Sequence, residues 1–259
     1  MDDFNIVNLT PENFADYGVC GYKDVAKHKE LRAKLNWFKE YYPKGLRIKV
    51  VTSPVGGYQG MIEYIPGEYA HRPVIANGFM FIHCIFVGFR KEFKGKGLAS
   101  ALIGECENEA KALEMSGISV VTRKGSFMAG SDIFKKNGFE SIEQAKPDFE
   151  LLVKKLVHND LYPGFNKEIL TESKKYDQGL TIFRSPQCPY TEKNVIAILE
   201  TAQKKYKINT QLIDLKDHIA AQGTPNPFGS FALIYNGKII SYHPISNTRF
   251  ENIMNSLLS

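Results

Sequence analysis

The sequence predicts an α/β protein built from two domains, and three observations carry this prediction. The long apolar run Phe79–Phe89 indicates a buried strand, which a glycine-containing turn and an amphipathic helix follow. A polar stretch over residues 158–175 separates this region from a second series of strand and helix patterns. In that second series, Asn236-Gly237 lies between two apolar runs and is a strong signal for a β-hairpin.

Length and composition favour a soluble globular protein. The chain has 259 residues, 43% hydrophobic and 24% charged, which argues against disorder and allows one large or two ordinary domains. No apolar segment reaches the ~20 residues that span a bilayer, and the N-terminus lacks a secretory signal, so we expect a cytoplasmic protein without a membrane partner. The net charge of +5 is dispersed, which disfavours nucleic-acid binding. The four cysteines show no zinc-site or disulfide spacing, so we expect free thiols and no metal.

The first domain is expected over residues 1–157. Thr10-Pro11 predicts a helix start, because threonine is a good N-cap and proline fits the first helical position. A second helical stretch is expected from about Lys23 to Tyr42. The predicted strands are Phe4–Val7, Leu46–Thr52, Gln59–Ile65, Phe79–Phe89 and Ile118–Thr122, with two more near Phe139 and over Phe149–Val153.

The second domain is expected over residues 177–259, after a linker at 158–176 that carries Pro163-Gly164. Its predicted order is strand, helix, strand, helix, hairpin and helix. This order predicts two parallel strands joined by a right-handed crossover, with an antiparallel pair added by the hairpin. The predicted strands are Leu180–Arg184, Ile208–Leu215, Phe231–Tyr235 and Lys238–Tyr242, and the last helix is expected from about Asn247 to Leu258.

The turn over residues 94–99 (KGKGLA) has the features of an anion-binding cradle. Its glycines let the backbone approach a ligand closely, and the first N–H groups of the following helix point towards such a ligand. The helix dipole adds partial positive charge there, and Lys94 and Lys96 add full charges. The turn therefore predicts a phosphate-binding site.

This turn resembles the hallmark of the GNAT superfamily of acyl-CoA-dependent N-acetyltransferases. The hallmark is a polar residue, two variable positions, glycine, one variable position, and glycine or alanine, and it lies between a strand and a helix. Lys94, Gly97 and Ala99 fill these positions, with lysine where the family usually has glutamine or arginine. The segment Ile133–Phe139 (IFKKNGF) resembles the family's later helix, which ends in glycine-phenylalanine. The resemblance covers residues 1–155 and implies the GNAT fold, a mixed, mostly antiparallel sheet with flanking helices.

The resemblance implies an N-acetyltransferase that takes acetyl-CoA as cosubstrate. It places the pyrophosphate at Lys94 and on the amides of Gly95, Lys96, Gly97, Leu98 and Ala99, and the pantetheine arm along the strand near Val87 and Phe89. A primary amine of a small molecule or peptide attacks the thioester directly, with no covalent enzyme intermediate. The resemblance does not identify the amine, and it leaves a homodimer open.

His83 is the candidate general base, because it occupies the position at which several family members carry a glutamate. The alternative is a packed histidine that makes one hydrogen bond, and both interpretations stay open. The family's tyrosine acid is replaced by Phe134, which cannot donate a proton; Tyr58, Tyr64, Tyr69 or water are the substitutes. Carboxylates such as Glu63 and Glu68 are offered as contacts for a cationic amine, although a solvated surface is their more common place.

The second domain resembles the YoaP-like, thioredoxin-related domain that follows acetyltransferase domains in some bacterial proteins. Cys188-Pro189-Tyr190-Thr191 is similar to the glutaredoxin turn with threonine in place of the second cysteine, and Gly229 falls where thioredoxins have a cis-proline. Cys188 is thus a candidate reactive thiol, since a helix N-terminus lowers a thiol pKa. Two alternative functions follow: a monothiol thioredoxin-like protein acting through Cys188, or a CoA-binding sensor without turnover.

Overall fold

The computed structural model describes residues 4–54, 57–88, 95–170 and 172–259. Contacts divide the chain into two compact units. The first comprises Met1–Ala70 and Val74–Phe165, and the second comprises His71–Pro73 and Asn166–Ser259. Phe89 and Lys94, two of the predicted CoA-binding residues, lie outside the described residues. The predicted boundaries at 157 and 177 remain a prediction.

The first unit is built on a seven-stranded sheet. Its strands are β1 (Asn5–Asn8), β2 (Arg47–Ser53), β3 (Gly57–Pro66), β5 (Phe79–Val87), β6 (Gly117–Arg123), β7 (Glu140–Ala145) and β8 (Phe149–Lys155), whereas β4 (Val74–Ile75) and β9 (Gly164–Phe165) form a separate pair. The order in the sheet is β1-β2-β3-β5-β6-β8-β7. All neighbours are antiparallel except β5 and β6, which are parallel. The predicted GNAT architecture, a mixed and mostly antiparallel sheet with flanking helices, is therefore confirmed.

Helices in this unit pack into two hydrophobic clusters of the sheet. They are α1 (Phe14–Tyr17), α2 (Lys29–Tyr41), α3 (Leu98–Ala112) and α4 (Ser131–Lys135). Apolar residues of α3 and Phe134 of α4 pack with strand residues such as Met80 and Ile82. Apolar residues of α1 and α2 pack in the other cluster with strand residues such as Ile48 and Met61. Each cluster is fully buried, so burial of these apolar faces is the main force that holds the helices in place.

The N-terminal helix boundaries differ from the predicted ones. The Thr10 N–H donates to Asn13 Oδ1 (2.7 Å) and the Asn13 N–H donates to Thr10 Oγ1 (3.3 Å), which closes a turn before the helix. Helix α1 consequently begins at Phe14, and α2 begins at Lys29 instead of near Lys23. Side chains of this kind favour turns and caps, because they offer the backbone an alternative to helical bonds.

The second unit has a four-stranded sheet in the order β11-β10-β12-β13. Its elements are β10 (Leu180–Arg184), α5 (Val195–Lys204), β11 (Thr210–Asp214), α6 (His218–Gln222), β12 (Phe231–Tyr235), β13 (Lys238–Ser241) and α7 (Asn247–Leu258). β10 pairs with β11 in parallel, and the other pairs are antiparallel. This is the arrangement that the sequence predicts, although the relationship to thioredoxins stays a prediction. The helix expected after the loop Ser185–Thr191 begins at Val195, and a three-residue 3₁₀ turn, Pro189–Thr191, precedes it.

Candidate functional site

The parallel strands β5 and β6 part half-way along their length. They pair over Phe79–Ile82 and Gly117–Val120, yet β5 continues to Val87 and β6 continues to Arg123. On its other side β5 stays paired with β3 as far as Val87. Among the described residues, no strand pairs with the edge of β5 that faces β6 beyond Ile82. An unpaired strand edge can bind an extended ligand chain through backbone hydrogen bonds.

A small cavity lies where these two strands part. It is lined by Ile82, His83, Cys84 and Ile85 of β5, by Val120 and Val121 of β6, and by Phe134 of α4 with its preceding loop. Its volume of about 10 Å³ corresponds to one water molecule. The cavity thus brings the candidate base His83 beside Phe134, the residue that stands in place of the family's tyrosine.

The start of α3 is an open, glycine-lined turn. Gly95 and Gly97 have φ values of +75° and +76°, a conformation that glycine adopts at little cost. A Cβ added to either residue would meet no heavy atom within 4 Å, and both residues are exposed. Gly97 is the N-cap of α3 and supplies no side-chain hydrogen bond to the first turn. These features fit an anion that approaches the first-turn amides of Leu98 and Ala99.

His83 occupies an irregularity in the β3–β5 pairing. Glu63 pairs with Cys84 and Tyr64 pairs with Ile82, so His83 is the extra residue of a β-bulge. Bulges of this kind re-aim a side chain and are frequent beside active sites. The imidazole is fully buried, and its Nδ1 lies 3.2 Å from Glu63 Oε1.

Glu63 is a buried carboxylate shared by two nitrogen groups. Its Oε2 is contacted by the ammonium group of Lys34, which is equally buried and lies 4.2 Å from the ring centre of Trp37. Burial alone raises the pKa of Glu63, but the charge of Lys34 and the close contact with His83 outweigh it and lower the pKa to about 2. The carboxylate is therefore ionised at neutral pH.

This cluster corrects one expectation. Glu63 does not lie on a solvated surface, since its side chain is 1% exposed, and Lys34 was not singled out at all. One signal was available: Glu63 is the only charged residue within the apolar strand segment Met61–Ile65, where burial is expected.

The tyrosines offered as replacement acids do not line the cavity as the structure describes it. Tyr64 donates its hydroxyl to Glu109 Oε2 on α3 (2.7 Å), and burial together with this hydrogen bond raises its pKa well above the usual range. Tyr58 accepts a hydrogen bond from the Cys20 N–H at 3.2 Å. Phe134 is buried and packs edge-on against Phe139, 5.4 Å between ring centres.

Cys188 lies in a turn whose polar groups bind one another. The buried Thr191 hydroxyl lies 2.5 Å from the Ser185 carbonyl oxygen and 2.8 Å from that of Cys188, and its one proton is shared between them. Cys188 itself is half-buried. Since α5 begins only at Val195, the helix N-terminus is seven residues from the thiol, which weakens the predicted dipole effect.

Neither a metal site nor a membrane-spanning helix is found among the described residues. They hold no group of three or more histidine, cysteine, aspartate or glutamate side chains placed to bind a metal ion. None of the helices in the described part of the chain combines the length and apolar character needed to cross a membrane.

A family model and a curated relative match the sequence of this chain. The YoaP-like family model matches residues 210–252. The "Uncharacterized N-acetyltransferase YoaP" of Bacillus subtilis is 27% identical over 256 residues, which is 97% of this chain and 98% of the relative. The predicted resemblance is confirmed. The chain is similar to an N-acetyltransferase and carries a YoaP-like C-terminal part, which agrees with its predicted class, an acyltransferase.

Two solved structures are similar to part of this chain. A GNAT-family acetyltransferase from Staphylococcus aureus Mu50 is 16% identical, with a TM-score of 0.42 over 60% of this chain and 100% of that one. The PaiA N-acetyltransferase from Thermoplasma acidophilum, solved with coenzyme A, is 16% identical, with a TM-score of 0.42 over 59% of this chain and 99% of that one.

Proposed function

We propose that this chain transfers the acetyl group of acetyl-CoA to a primary amine of a small molecule or peptide. The observation that carries the proposal is the parting of β5 and β6 beside the open N-terminus of α3. It supplies a stretch of β5 beyond its pairing with β6 and a set of helical amides in one unit. Acetyl-CoA contains an extended arm with amide groups and a pyrophosphate, which match these two features in chemistry.

Each part of acetyl-CoA has a candidate partner in this chain. The turn Gly95–Ala99 receives the pyrophosphate through backbone amides, with Lys96 and the predicted Lys94 as cations. The β5 edge at Val87 and the predicted Phe89 receive the pantetheine arm, which brings the thioester to the His83 cavity. The cavity has room for about one water molecule, so its lining must move when the acetyl group enters.

The chemistry requires a neutral amine, and His83 is the proposed proton acceptor. Acetyl-CoA, when bound, supplies an activated acyl carbon. His83 takes one proton from the ammonium form of the acceptor, directly or through water, which frees the nitrogen lone pair for attack. The C–N bond forms and the C–S bond breaks; the thiolate keeps the bonding electron pair and takes up a proton. The nitrogen of the new amide loses its second proton in the same step. Because Phe134 has no proton to give, we assign the transfer of that proton to the thiolate to a water molecule.

The test is acetyl transfer with a panel of primary amines. Wild-type protein is expected to release the CoA thiol and to add 42 Da to one amine, which is the mass of a transferred acetyl group in place of hydrogen. Base catalysis contributes about 10²- to 10⁴-fold, so His83→Gln is expected to lose that much in kcat while acetyl-CoA binding is kept. If the protein binds acetyl-CoA but releases no CoA thiol with any amine of the panel, the result would favour a CoA-binding sensor without turnover.

The monothiol alternative acts through Cys188. It is favoured only by the cysteine's place in the turn, and the described geometry gives this thiol a partly buried environment. The rate of alkylation at Cys188, measured across pH, tests this monothiol alternative. Reaction at a pH well below the pKa of free cysteine, about 8.5, would support a redox role, and an inert thiol would exclude one.

A further inference from the structure

Three elements of the first unit bring charged or titratable side chains to one buried point. Helix α2 supplies Lys34, strand β3 supplies Glu63, and the bulge in β5 supplies His83. Side-chain exposure is at most 1% for each of the three. Buried charges are costly unless they are paired, so such a group has a structural or chemical reason to persist.

The hydrogen-bonding capacity of these groups fixes where the proton of His83 lies. Glu63 is ionised at neutral pH, because Lys34 and His83 lower its pKa, and an ionised carboxylate only accepts hydrogen bonds. The imidazole nitrogen in contact with it, Nδ1, must therefore carry the hydrogen. A neutral imidazole holds one hydrogen, so its other nitrogen, Nε2, has the lone pair.

We propose that Glu63, held in place by Lys34, is a positioning residue that keeps His83 in the Nδ1–H form and thereby makes Nε2 the basic nitrogen. The catalytic meaning of this inference rests on the proposed function, in which His83 accepts the proton of the amine. The tautomer itself rests on the 3.2 Å contact between Nδ1 and Glu63 and on the negative charge of that carboxylate. Glu63 touches His83 and Lys34, and it acts on the reaction only through the imidazole.

Lys34 has a second effect on the same ring. In the described structure, Glu63 contacts the ring from β3, and Lys34 contacts the same carboxylate from α2. Trp37 and Phe81 contribute aromatic rings whose centres lie 6.0 and 5.7 Å from that of His83. A lone carboxylate beside an imidazole favours the protonated ring. The ammonium group of Lys34 opposes that effect, so the pair orients the ring without forcing it to stay protonated.

The direct test measures the ¹⁵N chemical shifts of the His83 ring across pH in the full-length protein. Wild type is expected to show Nδ1–H and unprotonated Nε2 in its neutral form. Glu63→Gln should protonate at lower pH and mix the two tautomers, because the amide can donate as well as accept. Lys34→Met should protonate at higher pH, because the opposing charge is gone. Wild type with an Nε2–H neutral ring would overturn the inference.

Folding and surface effects are controlled by two further variants. Glu63→Gln leaves Lys34 buried without its carboxylate, so the double variant Lys34→Met with Glu63→Gln removes both charges and tests the tautomer in a protein with no uncompensated ion. It should also lose the fixed Nδ1–H form. Glu68→Gln removes an exposed carboxylate nearby in sequence and should leave the His83 shifts unchanged.

Acetyl transfer gives an independent second readout. Glu63→Gln is expected to lower kcat roughly 10- to 100-fold with KM for acetyl-CoA unchanged, and Glu63→Asp should recover part of the loss. If His83→Gln keeps full activity, the proposed base is wrong while the ¹⁵N result still decides the tautomer. If His83→Gln is inactive but Glu63→Gln matches wild type in both shifts and kcat, the positioning role is wrong and the proposed base stands.

Discussion

Two of the strand–turn–helix connections of this protein differ in how open they are. The turn before α3 is exposed and built on Gly95 and Gly97, with no heavy atom within 4 Å of a Cβ added to either. The turn after β10 contains Cys188 and is closed by Thr191, a fully buried residue whose hydroxyl contacts two carbonyl oxygens of the same turn. The first turn has no side-chain cap and is the site at which we propose that a phosphate binds, whereas the Thr191 hydroxyl in the second turn binds carbonyl oxygens of the same turn.

This difference in exposure distinguishes the proposed binding turn before α3 from the structural turn after β10 more clearly than their residue types do. A cysteine near a helix start is a familiar sign of reactivity, and a glycine turn alone is a weak sign of binding. The geometry instead favours ligand binding at the glycine turn. The 15-residue helix α3 has no side-chain cap there, and a helix N-terminus offers N–H donors and a dipole to an anion. Four predictions test the comparison, beginning with the largest expected effect.

Gly97→Glu is expected to weaken acetyl-CoA binding at least about 100-fold, equivalent to roughly 2.8 kcal/mol. The new carboxylate stands where we propose the pyrophosphate, and a non-glycine residue is strained at a φ of +76°. Calorimetry measures the affinity, and thermal unfolding checks that the fold survives. Gly104→Glu is the matched control, because it adds the same charge to the same helix in open space. Equal acetyl-CoA affinity of Gly97→Glu and wild type would contradict the proposed phosphate-binding site.

Thr191→Val is expected to destabilise the second unit by about 1–3 kcal/mol without changing acetyl-CoA affinity. Valine keeps the shape of threonine but lacks its hydroxyl, so the carbonyl oxygens of Ser185 and Cys188 lose this hydrogen-bond donor. Chemical denaturation measures the loss, with the exposed Thr248→Val as control. An unchanged midpoint would show that the Cys188 turn is not held by this hydroxyl.

Gly95→Ala is expected to weaken acetyl-CoA binding about fivefold, because a φ of +75° costs a residue with a Cβ about 1 kcal/mol. The open space around Gly95 rules out a steric clash as the cause. Gly130→Ala is the control, since Gly130 is exposed and has an ordinary φ of −70°. A larger loss in the control than in Gly95→Ala would contradict the role of the left-handed conformation.

The smallest effect is expected at the Cys188 thiol, whose alkylation should accelerate severalfold in Thr191→Val. Loss of the hydroxyl contact loosens the turn and increases the time for which the half-buried thiol is accessible. Peptide mass spectrometry after timed alkylation measures the rate, and Cys20 in the first unit serves as the internal reference. The same rate in both proteins would mean that the turn does not protect the thiol.

Much of the fold could be predicted from local patterns. The bounds of β10 (Leu180–Arg184) and α7 (Asn247–Leu258) agree with the predicted ones, because their hydrophobic periods and end signals are contained in the segments themselves. The helix starts near Thr10 and Lys23 were wrong, because side-chain hydrogen bonds and tertiary packing decide where a helix begins. In the candidate site, the glycine turn could be predicted because its glycines and the helical pattern that follows them are adjacent in the sequence.

The sequence by itself determined the two-part α/β organisation, the order of the elements and the glycine turn at the start of α3. Only the tertiary structure decided that β5 and β6 part after Ile82 and that Lys34, Glu63 and His83 meet. The physical reason is the distance along the sequence over which each interaction acts. Periodicity and turn chemistry are properties of neighbouring residues, whereas a buried ion pair joins residues 29 positions apart, and no local pattern records which distant partner will compensate a buried charge.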